Sequence, residues 1–171
     1  EKVKLLMGTD TADIIYCDPP YNIGLDYSKG VGNSEKYGGS YSAKDDSKNT
    51  KDYAIFMRES LTVAMSFAKT NTHIFYWCDA TNIGLIQNLY QENKIKSKRV
   101  CMWIKNNQNP TPKVAFNKVY EPCVYGTIGT PYLNSGFQNA NEVLNQEVSS
   151  GNQLHDEILE MIALWIVQRD R

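Results

Sequence analysis

The sequence has no C-x-x-C pair. Its four cysteines, Cys17, Cys78, Cys101 and Cys123, stand far apart, which excludes the common zinc-site spacings, and no metal is expected. Each lies in an apolar, strand-like run, so all four are expected to be core thiols of a reducing, cytoplasmic protein. No apolar run approaches about 18 residues and no signal peptide is visible, so no segment is expected to span or target a membrane. A global basic excess is also missing: 18 Lys and Arg against 19 Asp and Glu give a net charge of −1. The chain begins at Glu1 without methionine and is read as a trimmed chain or an internal piece of a longer one.

The charge that is present is unevenly spread. Lys94, Lys96, Lys98, Arg99, Lys105, Lys113 and Lys118 fall in one stretch that holds no acid, leaving 11 basic residues against 19 acidic ones elsewhere. Such a strip is a candidate for phosphate contacts, or simply a solvated basic face. At 171 residues, with 42% apolar and 22% charged residues, one globular domain over 1–171 is expected.

The chain is organised around Asp18-Pro19-Pro20-Tyr21. Ala12-Asp13-Ile14-Ile15-Tyr16-Cys17 reads as a short strand that the two prolines stop abruptly. In open α/β sheets, ligands sit at the carboxyl ends of strands. An acid, two rigid prolines and a ring are thus presented together, and proline fixes φ and donates nothing to a ladder. The cluster suits a planar amine: Asp18 accepts one N–H, a proline carbonyl accepts the other, and Tyr21 covers the ring face.

Asn22 to Thr50 is a long polar stretch with five glycines, expected to be a mobile lid over the substrate. Asp52–Lys69 has helical spacing, with Ile55, Phe56, Leu61, Ala64, Met65 and Ala68 on the expected buried face. A turn at Asn71-Thr72 precedes the run His73–Cys78, a strand covered on both faces. His73 starts that strand and is read as structural. Asp79, at its end, is read as a helix cap. A second helix is expected over Asn82–Glu92, then strands over Arg99–Ile104 and Tyr120–Tyr125 with no helix between them, hence an antiparallel pair. Residues 130–152 look polar and irregular. Leu154–Gln168 has helical spacing and a broad apolar face.

The run Asp18-Pro19-Pro20-Tyr21-Asn22-Ile23-Gly24 resembles the catalytic motif of amino-group DNA methyltransferases, which methylate adenine N6 or cytosine N4. Ala12 to Gly30 resembles the branch in which that motif precedes the methyl-donor motif, and Tyr120-Glu121-Pro122-Cys123-Val124-Tyr125-Gly126 is similar to the family's late strand. The resemblance implies a Rossmann-like, S-adenosylmethionine-dependent sheet of parallel strands plus an antiparallel pair, incomplete on its C-terminal side. It implies transfer of a methyl group from S-adenosylmethionine to a flipped base in double-stranded DNA. Asp18 favours adenine N6 over cytosine N4. Asp18, Pro19, Pro20 and Tyr21 are the implied catalytic residues. Tyr21, Asn22, Lys105 and Lys113 are the implied substrate contacts, and Asp18 also borders the donor. A homodimer is compatible with this assignment.

The family's donor site needs a glycine-rich turn between a strand and a helix. Tyr37-Gly38-Gly39, Gly30-Val31-Gly32 and Gly126-Thr127-Ile128-Gly129 do not stand in that context. The chain alone is therefore expected to lack most of the donor pocket and to be inactive by itself. A DNA-binding module without catalysis, and amine methylation of RNA or a protein glutamine, are the competing readings. Within the leading one, the face of the Tyr21 ring is expected to matter more than its hydroxyl.

Overall fold

The structure, a computed structural model, describes residues 2–24, 46–109, 116–134, 141–145 and 162. A short helix α1 (Lys2–Met7) leads to strand β1 (Ala12–Cys17). Helix α2 (Thr50–Met65) carries the chain back to β2 (Ala68–Trp77), parallel to β1. After one 3₁₀ turn, Ala80–Asn82, helix α3 (Ile83–Glu92) leads to β3 (Lys96–Asn109). Strand β4 (Lys118–Ile128) then returns antiparallel and inserts between β2 and β3. A three-residue β5 (Val143–Asn145) pairs parallel with β3, giving the order β1-β2-β4-β3-β5. The expected α/β sheet with an antiparallel pair is present. Among the described residues, no helix is long and apolar enough to cross a membrane.

Side chains alternate across a strand, so a continuously apolar strand must be covered on both faces. In β2 and just beyond it, Ile74, Tyr76 and Cys78 point into one cluster, beneath α2 and α3. Phe75 and Trp77 point into the other, with Trp103, Leu144 and Ile162. Ile162 is helical and buried, and the rest of the expected helix 154–168 lies outside the described residues. Three cysteines are buried and Cys17 is partly so, all four as free thiols.

Several boundaries differ from the sequence reading. The buried side of α2 is Tyr53, Met57 and Leu61, at four-residue spacing, whereas Ile55 is half exposed. The helix stops at Met65, so Ala68 opens β2 instead of closing α2. No turn separates Asn71 from the strand. The register jumps there: Ala12 faces Ala68 but Ile14 faces His73, so extra residues of β2 bulge out, and the Thr72 hydroxyl bonds the Ala12 and Lys69 carbonyls. β3 runs well past both ends of its apolar centre because β4 supplies ladder partners to its polar ends. β5 falls in the stretch read as irregular, since three residues carry no usable periodicity.

The glycine run 126–129 serves packing. A Cβ on Gly126 would lie 2.7 Å from the Tyr90 ring and 2.8 Å from Ile95. Gly129, at φ +58°, turns against Thr70 and Asn71.

His73 has the structural role expected of it. Its Nε2 lies 2.9 Å from the Tyr132 carbonyl, which can only accept, so Nε2 carries the proton and Nδ1 accepts from the Tyr125 hydroxyl at 3.0 Å. Burial holds its pKa below the ordinary 6.5, although the bond to Tyr132 pulls the other way. The unfolded chain thus takes up a proton that the folded chain refuses. Stability from this site is complete above about pH 6.5 and is lost as the pH falls below it. Thermal melts from pH 8 to 5 should show this decline, and His73→Gln should flatten it.

Candidate active site

β1, β2 and β3 end along one edge of the sheet, and the antiparallel β4 starts there. At that edge the chain leaves β1 at Cys17 and exposes Asp18. Beyond Pro19, three residues are pinned in succession. The Tyr53 hydroxyl on α2 donates to the Pro20 carbonyl at 3.0 Å. Asn82, beside α3, reaches the Tyr21 carbonyl at 3.4 Å. The Asn22 amide donates to the Asp46 carboxylate at 2.8 Å. Among the described residues nothing donates to the Pro19 carbonyl. An exposed carboxylate and an open carbonyl therefore stand next to each other on a fixed backbone.

Asn22 is used differently from the expectation. Its φ is +59°, which asparagine tolerates better than most residues. Its side chain bonds both main-chain groups of Lys48, accepting from the nitrogen at 2.6 Å and donating to the oxygen at 2.9 Å. The Asp46 carbonyl also accepts from the Gly24 amide at 2.8 Å. Both ends of the long loop are thus clasped together beneath the site. Asn22 belongs to this clasp, and its amide is occupied there rather than presented to a substrate. Residues 25–45 of the expected lid lie outside the described residues.

Tyr21 has contacts beyond its expected part. Its ring packs on the second cluster, and its hydroxyl donates to Asp18 Oδ1 at 2.9 Å. The hydroxyl reaches Glu121 Oε2 at 3.5 Å. Burial first, then the charges of Asp18 and Glu121, push the phenol far above its ordinary pKa, so it stays a donor at any working pH. The hydroxyl, expected to be secondary, is part of the site. Burial and the adjacent Asp18 charge push the Cys17 thiol up to about 11, which keeps it protonated and unreactive at neutral pH.

The basic strip does not form one surface. β3 is continuous, so five residues of extended strand, six steps of about 20 Å in all, separate Arg99 from Lys105. Lys94, Lys96, Lys98 and Arg99 are exposed at the far end of the sheet. Lys105 lies at the site but is paired with Glu121, and Lys118 is paired with Asp79. Asp79 caps the 3₁₀ turn through the Thr81 amide, as expected. Burial alone would raise its pKa, but the bonds from Lys118 and Thr81 hold it below the ordinary carboxylate value. Lys113 lies outside the described residues.

Sequence reading missed Asp46, Tyr53 and Asn82. Tyr53 was visible only as one more residue of a helical period, and Asp46 as one more acid in a polar loop.

Residues 12–165 match the family model described as DNA methylase, of the N6/N4 type. No curated protein sequence matches the chain. In three dimensions the chain is similar to M1.HpyAVI, with 15% identity and a TM-score of 0.61, over 98% of this chain and 69% of that one. It is similar as well to the M1.HpyAVI–SAM complex, with 14% identity and a TM-score of 0.60, over 98% and 71% of the two chains. These likenesses bear out the expected fold.

Proposed function

Because the chain belongs to the N6/N4 DNA methylase family, we propose that it methylates the exocyclic amine of a flipped DNA base, adenine N6 by preference, with S-adenosylmethionine as donor. The observation that carries this reading is the pair of acceptors at the end of β1: the exposed Asp18 carboxylate and the Pro19 carbonyl, with Pro20 and Tyr21 tied back by Tyr53 and Asn82.

An exocyclic amine is a poor nucleophile because its lone pair is delocalised into the ring. Accepting one N–H at Asp18 and the other at Pro19 draws the nitrogen towards tetrahedral geometry and concentrates the lone pair on one face. S-Adenosylmethionine, when bound, supplies an electrophilic methyl on a sulfonium. The contribution of this chain is positioning and fixed charge. As the methylated nitrogen becomes acidic its proton passes to Asp18, which need not be a strong base.

An amine inside a duplex is out of reach, so the base must leave the stack, at about a few kcal/mol. Stacking on an aromatic face returns about 1–3 kcal/mol per base. We assign that stacking to Tyr21, which adjoins the two acceptors in the chain. For the donor, Asp18 fits a place beside the sulfonium. Among the described residues no glycine-rich turn joins a strand directly to a helix, so no further donor contact is assigned to them.

The test takes the chain extended by the donor-binding part it is expected to need and incubates it with unmethylated mixed-sequence DNA and methyl-labelled S-adenosylmethionine, followed by digestion to nucleosides. Label in N6-methyladenine is expected. Label in N4-methylcytosine would move the reading to the other amine, and DNA binding without any label would leave a binding module. Calorimetric titration with the donor shows whether these residues alone hold it.

A further inference from the structure

Tyr21 has one hydroxyl proton and two carboxylates within reach, Asp18 Oδ1 at 2.9 Å and Glu121 Oε2 at 3.5 Å. Glu121 is held in place on its other side. Its Oε1 carries the Lys105 ammonium, and Lys105 lies over the Trp103 ring at 4.6 Å from the centroid. Trp103 and Glu121 are direct partners across β3 and β4, so both strands fix this pair. The two side chains are only 18% and 19% exposed, where a charge pair is screened less than at an open surface.

We infer that Glu121, steadied by Lys105, is a positioning residue for the proposed reaction: it competes with Asp18 for the Tyr21 proton and so sets how strongly Asp18 accepts the amine. The inference rests on that reading of Asp18. A carboxylate that receives a phenol bond offers less charge to the next donor. Competition from Glu121 lightens that bond, and the charge of Lys105 limits the competition. Two other titratable groups, Cys123 on β4 near the phenol and Tyr16 on β1 near both carboxylates, are kept neutral by burial and do not enter the balance.

The signs are distinctive. Glu121→Gln removes a negative charge and yields the phenol to Asp18, so the Asp18 carboxyl should titrate lower, by on the order of half a pH unit or more. Lys105→Met leaves Glu121 uncompensated and should shift Asp18 upward. Tyr21→Phe should also shift Asp18 upward, and in that background Glu121→Gln should move it by less than half as much. The measurement is carbon-13 NMR titration of the Asp18 carboxyl in the whole 171-residue chain, assigned by comparison with Asp18→Asn. In the enzyme extended by its donor-binding part, Glu121→Gln should also lower kcat about tenfold with DNA affinity unchanged, a split that general loosening of the fold would not produce.

An Asp18 titration that Glu121→Gln leaves in place overturns the inference. So does a shift of equal size with and without the Tyr21 hydroxyl, or a shift with kcat unchanged. If Glu121→Gln does not fold, the upward shifts in Lys105→Met and Tyr21→Phe decide it in the same way. Failure of the wild-type enzyme, extended by its donor-binding part, to methylate DNA would instead overturn the proposed function. The NMR titration needs no turnover, so the two failures are read separately.

Discussion

Replacing Asp18 by alanine, in the enzyme extended by its donor-binding part, is expected to lower methyl transfer by about 10²–10³-fold, the usual loss when one preorganised polar group is removed from the reacting atoms. DNA binding should stay within a few-fold of wild type, because phosphate contacts supply most of the affinity and Asp18 makes none. The substitution deletes the one charged acceptor at the end of β1 and leaves the Tyr21 hydroxyl with Glu121 alone. Asparagine at the same position is informative. Its single carbonyl oxygen can serve the phenol or the amine but not both at full strength, and its NH₂ group turns a donor towards whichever is left. Asp18→Asn should therefore lie near the alanine variant in rate while keeping wild-type stability. Label transfer to mixed-sequence DNA, beside filter binding of the same DNA, separates the two effects. Near-normal turnover in Asp18→Ala would sink the mechanism.

What could be read from the sequence was whatever depends on neighbours in the chain. The run Ile14–Cys17 and the prolines after it mark a strand that must end, and an acid at that end is a candidate site whatever the fold around it. The unbroken apolar stretch from Ile74 to Cys78 calls for cover on both faces, and the two clusters provide it. The lack of a helix between β3 and β4 led correctly to an antiparallel pair.

What could not be read depends on partners far apart. Tyr53 is 33 residues from the carbonyl it holds, Asn82 is 61 from its own, and Glu121 is 100 from Tyr21. The basic strip failed for the opposite reason: residues close in sequence were pulled apart by an extended strand. Asn22 was assigned to the substrate because it follows the motif directly, yet its positive φ turns it back into the loop base.

Asp46 shows how such a distant partner can govern the site. It is fully buried, its carboxylate accepts from the Asn22 amide at 2.8 Å, and its carbonyl accepts from Gly24 at 2.8 Å. Asp46→Ala would leave a part-buried amide without its partner, at about 1–3 kcal/mol, which lowers the melting temperature without unfolding the sheet. The larger effect should be on rate. Asn22 follows Tyr21 directly, so a loosened clasp lets the ring and hydroxyl that orient Asp18 drift. A misplacement of about 1 Å at a reacting centre can cost about 10²-fold. Asp46→Ala should therefore lose on the order of 10²-fold in methyl transfer while most of its stability remains, and amide exchange at Asn22 and Gly24 should accelerate. Asp46→Asn keeps a carbonyl oxygen for the Asn22 amide and should recover much of both losses. If Asp46→Ala melts earlier but turns over normally, the clasp serves stability alone, and the orientation of Asp18 rests on Tyr53 and Asn82.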